Sequence, residues 1–254
     1  MKTTLAVLGG CLLALPLQAQ SLERRIAQAP DGLVRMSFAA REGVCGNGRN
    51  NINWNSRSDS DSKDGWSSDC DAGPVRIALD VLNGSVLTVH TYVGGRWREV
   101  SRRTTDLGTV SSREAAEYFL DLAENSRDIK GDVMVPALIA DSFTAWPRLL
   151  RIGKNPSIRS NVRKQAIFWL SQEASAEATR GLTEIAEDEK GERDFRKQAV
   201  FALSQLRNHE GVPTMIRLAR TDKDPAIRKQ AIFWLGQSGD PRAVEFFEEI
   251  LTKR

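Results

Sequence analysis

The sequence predicts an α+β protein: a C-terminal α-solenoid of stacked helix pairs preceded by a small antiparallel β domain. Two observations carry that prediction. A twelve-residue phrase occurs three times in the last third of the chain, at Asn161 to Gln172, Asp194 to Gln205 and Ala226 to Gln237, with starts 33 and then 32 residues apart. Self-similarity at such a period marks a repeat architecture, in which each unit buries its apolar face against its neighbours. Upstream, Leu33 to Ala40, Val75 to Val81 and Val86 to Val93 alternate apolar and polar residues, the pattern of half-buried strands.

Met1-Lys2, the apolar run Leu5 to Leu17 and the small residues near Ala19 have the parts of a secretory signal peptide, too short to span a membrane. The division that follows is 1–19 signal, 20–108 β-rich domain and 109–254 helical domain. Leu8-Gly9-Gly10-Cys11 resembles a lipoprotein signal, but cleavage there would leave Leu12 to Leu17 exposed, so cleavage after Ala19 is favoured. Its loss lowers the formal charge from +3 to +2. No basic arm remains, which argues against nucleic acid. The expected site of the protein is the periplasm or the exterior, with no transmembrane segment in the mature chain. Cys45 and Cys70 are then the remaining cysteines. An even pair in an exported chain, without CxxC spacing, is expected to form a disulfide.

Ser21 to Ala29 can form a short helix ended by Pro30. Asn83-Gly84 suits a two-residue hairpin turn between the second and third strands, and Trp97 to Val100 is expected as a short fourth strand. Between the cysteines, Gly46 to Asp69 is rich in Gly, Asn, Ser and Asp and is expected as a surface loop. Asp59, Asp61 and Asp64 are weak candidates for a hard cation, but their spacing does not match an EF-hand, and a solvated loop is the plainer reading. Neither His90 nor His209 has a partner at metal-ligand or triad spacing, and there is no P-loop or dinucleotide fingerprint. No catalytic residue and no cofactor is implied.

Ser111 and Glu114 form a capping-box pattern opening a helix to about Glu124, with Ala115, Phe119, Leu122 and Ala123 on its apolar face. Helices are expected from about Asp132 to Ile139 and from Trp146 to Ile152. Ala145, Leu149 and Ile152 align with Ala178, Leu182 and Ile185 at one offset of 33, so 129–154 reads as a degenerate first repeat before repeats at 157–189, 190–222 and 223–254. In each of these the phrase is helix A and a second helix B follows.

Asp224-Pro-Ala-Ile-Arg228-Lys-Gln-Ala231 is similar to the signature of HEAT repeats, including the bacterial HEAT-like repeats first named from phycobiliprotein lyases, over about residues 130–254. The resemblance implies a structural role for Arg163, Arg196 and Arg228, bonding to an Asp or to backbone in the next repeat, with Asp194 and Asp224 placed to take part. It carries no lyase residue over to this chain.

At about 100° per residue, Val162, Ala166 and Leu170 share the core side of helix A. Lys164, Phe168 and Gln172 fall opposite, as do Lys197, Phe201, Gln205 and Lys229, Phe233, Gln237. Phenylalanines aligned by stacking on a nominally wet face would form one apolar patch. Either this Lys-Phe-Gln stripe docks a partner protein or the N-terminal sheet of the same chain, or the helices rotate enough to tuck each ring against the adjacent repeat. The favoured function is a non-enzymatic exported scaffold holding an envelope or extracellular protein. The alternative is a metal-, ligand- or glycan-binding module, or a hydrolase, in the β domain around Trp54, Trp66 and the Asp-rich loop.

Overall fold

A computed structural model describes residues 20–49, 51–53, 70–97, 101–173 and 175–252. Among the described residues the first element is helix α1 (Leu22–Ala27), whose N-cap Ser21 side chain accepts from the Arg24 N–H. Six strands follow among the described residues: β1 (Gly32–Phe38), β2 (Cys45–Gly46), β3 (Ile52–Asn53), β4 (Val75–Leu82), β5 (Ser85–Val93) and β6 (Thr104–Thr109). The main sheet has the order β5-β4-β1-β6, and β2 and β3 form a separate two-stranded ribbon.

Strands β4 and β5 form the expected hairpin. Asn83 and Gly84 both take positive φ, 50° and 71°, which the primed turn requires and which matches the right-handed twist of the flanking strands. A Cβ on Gly84 would also lie 2.8 Å from the Ala27 carbonyl oxygen, so the turn packs directly on the end of α1. Register places Val34 opposite Leu79, Met36 opposite Ile77 and Phe38 opposite Val75. All six are buried on one face of the sheet, as the alternation requires. They share a continuous core with Leu22 and Ile26 of α1.

The sheet is mixed, not purely antiparallel. Its fourth strand is Thr104–Thr109, parallel to β1, whereas Trp97 lies outside any strand and 98–100 are beyond the described residues. Residues 104–109 read Thr-Thr-Asp-Leu-Gly-Thr and have no apolar alternation, because the strand is an edge with both faces partly wet. An Arg35–Asp106 ion pair at 2.8 Å ties it to β1, and β6 runs one residue past the expected boundary at 108. Cys45 and Cys70 are joined in a disulfide, with Cα atoms 5.2 Å apart.

The helical part comprises α2 (Ser112–Asn125), α3 (Val135–Leu138), α4 (Trp146–Lys154), α5 (Ser160–Leu170), α6 (Ala176–Glu187), α7 (Arg193–Ser204), α8 (Val212–Thr221), α9 (Pro225–Ser238) and α10 (Pro241–Thr252). The phrases are α5, α7 and α9, which stack on one another, while α4, α6, α8 and α10 form the second row. Ala145, Leu149 and Ile152 are fully buried, as are Ala178 and Leu182. The helix expected from Asp132 shrinks to the single turn α3. The capping box does not close: Ser111 makes no side-chain cap, and Glu114 Oε1 instead accepts the Leu22 N–H at 2.9 Å, satisfying an orphan donor of α1.

The two parts are stitched together. Past the end of β1, the Arg41 N–H donates to the Ile139 carbonyl at 2.8 Å and the Asp141 N–H to the Ala39 carbonyl at 3.0 Å. Ser112 Oγ also donates to the Ala39 carbonyl, and Arg41 lies 3.5 Å from Glu173. Burial pushes the Glu173 carboxyl above its ordinary value, while Arg41 acts the other way. The sheet is therefore fastened to the segment that follows α3 and to the end of the first phrase.

Candidate functional site

Helix A of each repeat divides its residues by face. Val162, Ala166 and Leu170 of α5 are buried, as are Ala199 and Leu203 of α7 and Ile227, Ala231 and Leu235 of α9. Phe168 and Phe201 are half-buried and Phe233 is exposed. Their rings do not stand apart. Phe168 stacks on Phe201, with centroids 6.2 Å apart and planes 11° from parallel. Phe201 then meets Trp234 at 5.1 Å, and Trp234 meets Phe233 edge-on at 4.9 Å. Trp169 meets Phe168 edge-on at 5.0 Å. Five aromatic rings thus run in a string across three helices, in the offset and edge-to-face arrangements that aromatic pairs favour.

The stripe read from the helical wheel contains three of these five rings. Trp169 and Trp234 supply the other two, and Trp234 bridges Phe201 and Phe233. The sequence difference behind this is Ala202, the small residue standing where the other two phrases carry Trp169 and Trp234. The Trp234 indole Nε1–H is buried with no hydrogen-bond acceptor among the described residues.

The polar members of the stripe flank the string. Lys164 Nζ lies 3.7 Å from Asp194 in the next repeat. Gln172 and Gln205 each donate from Nε2 to the hydroxyl of the preceding serine, Ser171 and Ser204, at 3.1 Å. Lys197 is half-buried, and Lys229 and Gln237 are exposed.

The arginines lie on a different edge. Arg163 Nε donates to the Gly153 carbonyl at 3.2 Å and Nη1 to Glu192 at 2.8 Å, and its guanidinium sits 3.5 Å from the centre of the Phe195 ring, a cation–π contact. Arg196 repeats this plan, donating from Nε to the Ala186 carbonyl at 3.0 Å and from Nη2 to Asp222. Among the described residues, Arg228 donates to the carbonyls of Asp222 and Lys223. The acids of this ladder are thus Glu192 and Asp222, not Asp194 and Asp224. Asp224 instead pairs with Arg193 and caps α9 through the Ala226 N–H, and these two bonds hold its carboxyl below the ordinary carboxylate value. Phe195, Glu192 and Asp222 stand before or between the phrases or at a variable position in them, so repetition does not flag them.

His90 Nε2 lies 3.4 Å from Asp80 Oδ2, and Arg102 reaches the other oxygen of that carboxylate at 2.7 Å. Among the described residues no three His, Cys, Asp or Glu side chains come together as a metal site requires. Asp59, Asp61, Asp64, Trp54, Trp66 and Cys11 lie outside the described residues, as does the whole of 1–19. No helix among the described residues is long and apolar enough to cross a membrane.

Compared with known proteins, the chain matches no curated protein. Residues 180–254 match the family described as HEAT repeats, from within α6 to the end of the chain. The stacked helix pairs and this match agree: residues 180–254 are HEAT repeats, and α4 to α6 extend the same stacking toward the sheet.

Proposed function

We propose that this protein is an exported, non-catalytic scaffold that holds a partner protein on the helix A face of its solenoid. The observation that carries the reading is the unbroken string of rings Trp169, Phe168, Phe201, Trp234 and Phe233. Rigid aromatic surface flanked by hydrogen-bonding and cationic side chains is the composition of protein-binding hot spots, because large rings lose little entropy on being covered. Lys164, Lys197 and Lys229 along one margin and Gln172, Gln205 and Gln237 along the other supply that rim. The basic start and apolar run of 1–19 and the Cys45–Cys70 bridge support a station in the periplasm or outside the cell, where disulfides persist.

The test is crosslinked affinity capture from cell-envelope extracts with the wild type, Phe168→Ser and Phe201→Ser. Far-UV circular dichroism should confirm that each variant is folded. A captured protein that disappears with both variants supports the reading. Equal recovery of the same proteins by wild type and folded variants ends it.

A further inference from the structure

Charge is answered between repeats along one row of the solenoid and left open along the other. In the second row Lys154 of α4 pairs with Glu184 of α6 at 2.5 Å, Arg217 of α8 with Glu187 of α6 at 2.8 Å, and Arg220 of α8 with Glu249 of α10. The three phrases hold six cations, Arg163, Lys164, Arg196, Lys197, Arg228 and Lys229, against one acid, Asp194. The arginines turn to carbonyls and to acids outside the phrases, and Lys164 takes Asp194. Lys197 and Lys229, one turn before the rings of α7 and α9, have no ion-pair partner among the described residues. A ligand that complements this face is therefore anionic.

The same face carries amides with nothing to bond. Gln165, Gln198 and Gln230 hold one place in the phrase, three residues before Phe168, Phe201 and Phe233 and so on the same side of the helix. Among the described residues none of these three side chains makes a hydrogen bond, and neither does that of Gln237. Each amide offers both a donor and an acceptor, and with Gln205 and Gln237 four residues beyond Phe201 and Phe233 they line both margins of the ring string. A docked helix would leave them unused, because its backbone groups are bonded to one another. An extended chain carries a free N–H and C=O on each residue and sends alternate side chains to one face. Those side chains stand two residues apart, about 6.7 Å, close to the 6.2 Å between the Phe168 and Phe201 centroids.

We propose that the helix A face takes an extended, acidic peptide segment of its partner. The backbone of that segment lies between Gln198 and Gln230 on one margin and Gln205 and Gln237 on the other. Its apolar side chains rest on Phe201 and Trp234, and carboxylates of the alternate residues meet Lys197 and Lys229. This rests on the docking reading above and names the chemistry of what docks.

Fluorescence anisotropy with the intact protein tests this, using as probe a short, end-blocked, labelled peptide in which Glu alternates with Val and Leu. The expected result is saturable binding that weakens as salt is raised. Lys197→Glu combined with Lys229→Glu should weaken it about tenfold or more, and that variant should prefer a probe with Lys in place of Glu. Gln198→Ala combined with Gln230→Ala should also weaken it, as should methylation of the central amide nitrogens of the probe, which removes backbone donors and leaves every side chain. Far-UV circular dichroism shows whether each variant is folded, and the Lys and methylated probes read the same two points on the wild type alone. Equal binding of the Glu and Lys probes, or none of either, overturns the acidic occupant; equal binding of the methylated probe overturns the extended one. Those failures leave the docking reading standing as long as Phe201→Ser abolishes capture from envelope extracts, whereas unchanged capture by folded Phe201→Ser removes both.

Discussion

Arg196 and Asp222 are both almost wholly buried, with side chains 4 % and 3 % exposed. Arg196 has a backbone carbonyl as its second acceptor, and Asp222 Oδ1 accepts the Asp224 N–H at 2.9 Å. Each charge is therefore desolvated but supplied with partners, the condition under which removing one member strands the other. Asp222→Ala should lower unfolding free energy by about 3–5 kcal/mol, read from urea denaturation. A loss below about 1 kcal/mol would class the pair with ordinary surface bridges. The arginine of this pair is legible in the sequence, because it recurs at one place in every phrase. The aspartate is not, since it lies beyond α8 where the copies differ, and only packing decides which nearby acid comes within reach.

At the scale of elements, helices were legible wherever apolar residues recur at three or four positions, and strands wherever they alternate. Both signals come from burial on one side, so they fail where an element is wet on both faces or gains its hydrogen bonds from afar. The edge strand β6 is the first case. Glu114 is the second: its place three residues after Ser111 suits a capping box, but its carboxylate serves the Leu22 N–H, 92 residues away in sequence. The disulfide also acts at this scale. It closes a loop between cysteines 25 residues apart and pins β2, where the Gly46 N–H donates to the Asp71 carbonyl at 3.1 Å. Reduction, or Cys45→Ser with Cys70→Ser, should lower stability by about 3 kcal/mol on the chain-entropy estimate. Urea midpoints with and without reductant check this, and an unchanged midpoint would mean that the loop is held without the bond.

For the whole molecule, the sheet and the repeats share one buried cluster from Leu22 and Ile26 through Phe119 and Ile139 to Leu235 and Phe246. Repeat arrays alone can lose cooperativity because each unit contacts only its neighbours. Here the first repeat is also fastened to the sheet domain by the reciprocal bonds between Ala39–Arg41 and Ile139–Asp141. Urea transitions followed by far-UV circular dichroism and by tryptophan fluorescence should therefore superimpose. Two separated transitions would show that the sheet domain and the solenoid unfold independently.

The sequence by itself determined the repeat plan, the core face of each helix A, the β4–β5 hairpin and the ladder arginines, because periodicity and turn chemistry are local properties written into consecutive residues. It also placed Lys164, Phe168 and Gln172 and their equivalents together on one stripe. Only the tertiary structure decided that Phe201 stacks between Phe168 and Trp234 and that Glu192 and Asp222 answer the arginines. Those outcomes depend on which neighbour stands across an interface, which no helical wheel of a single element contains.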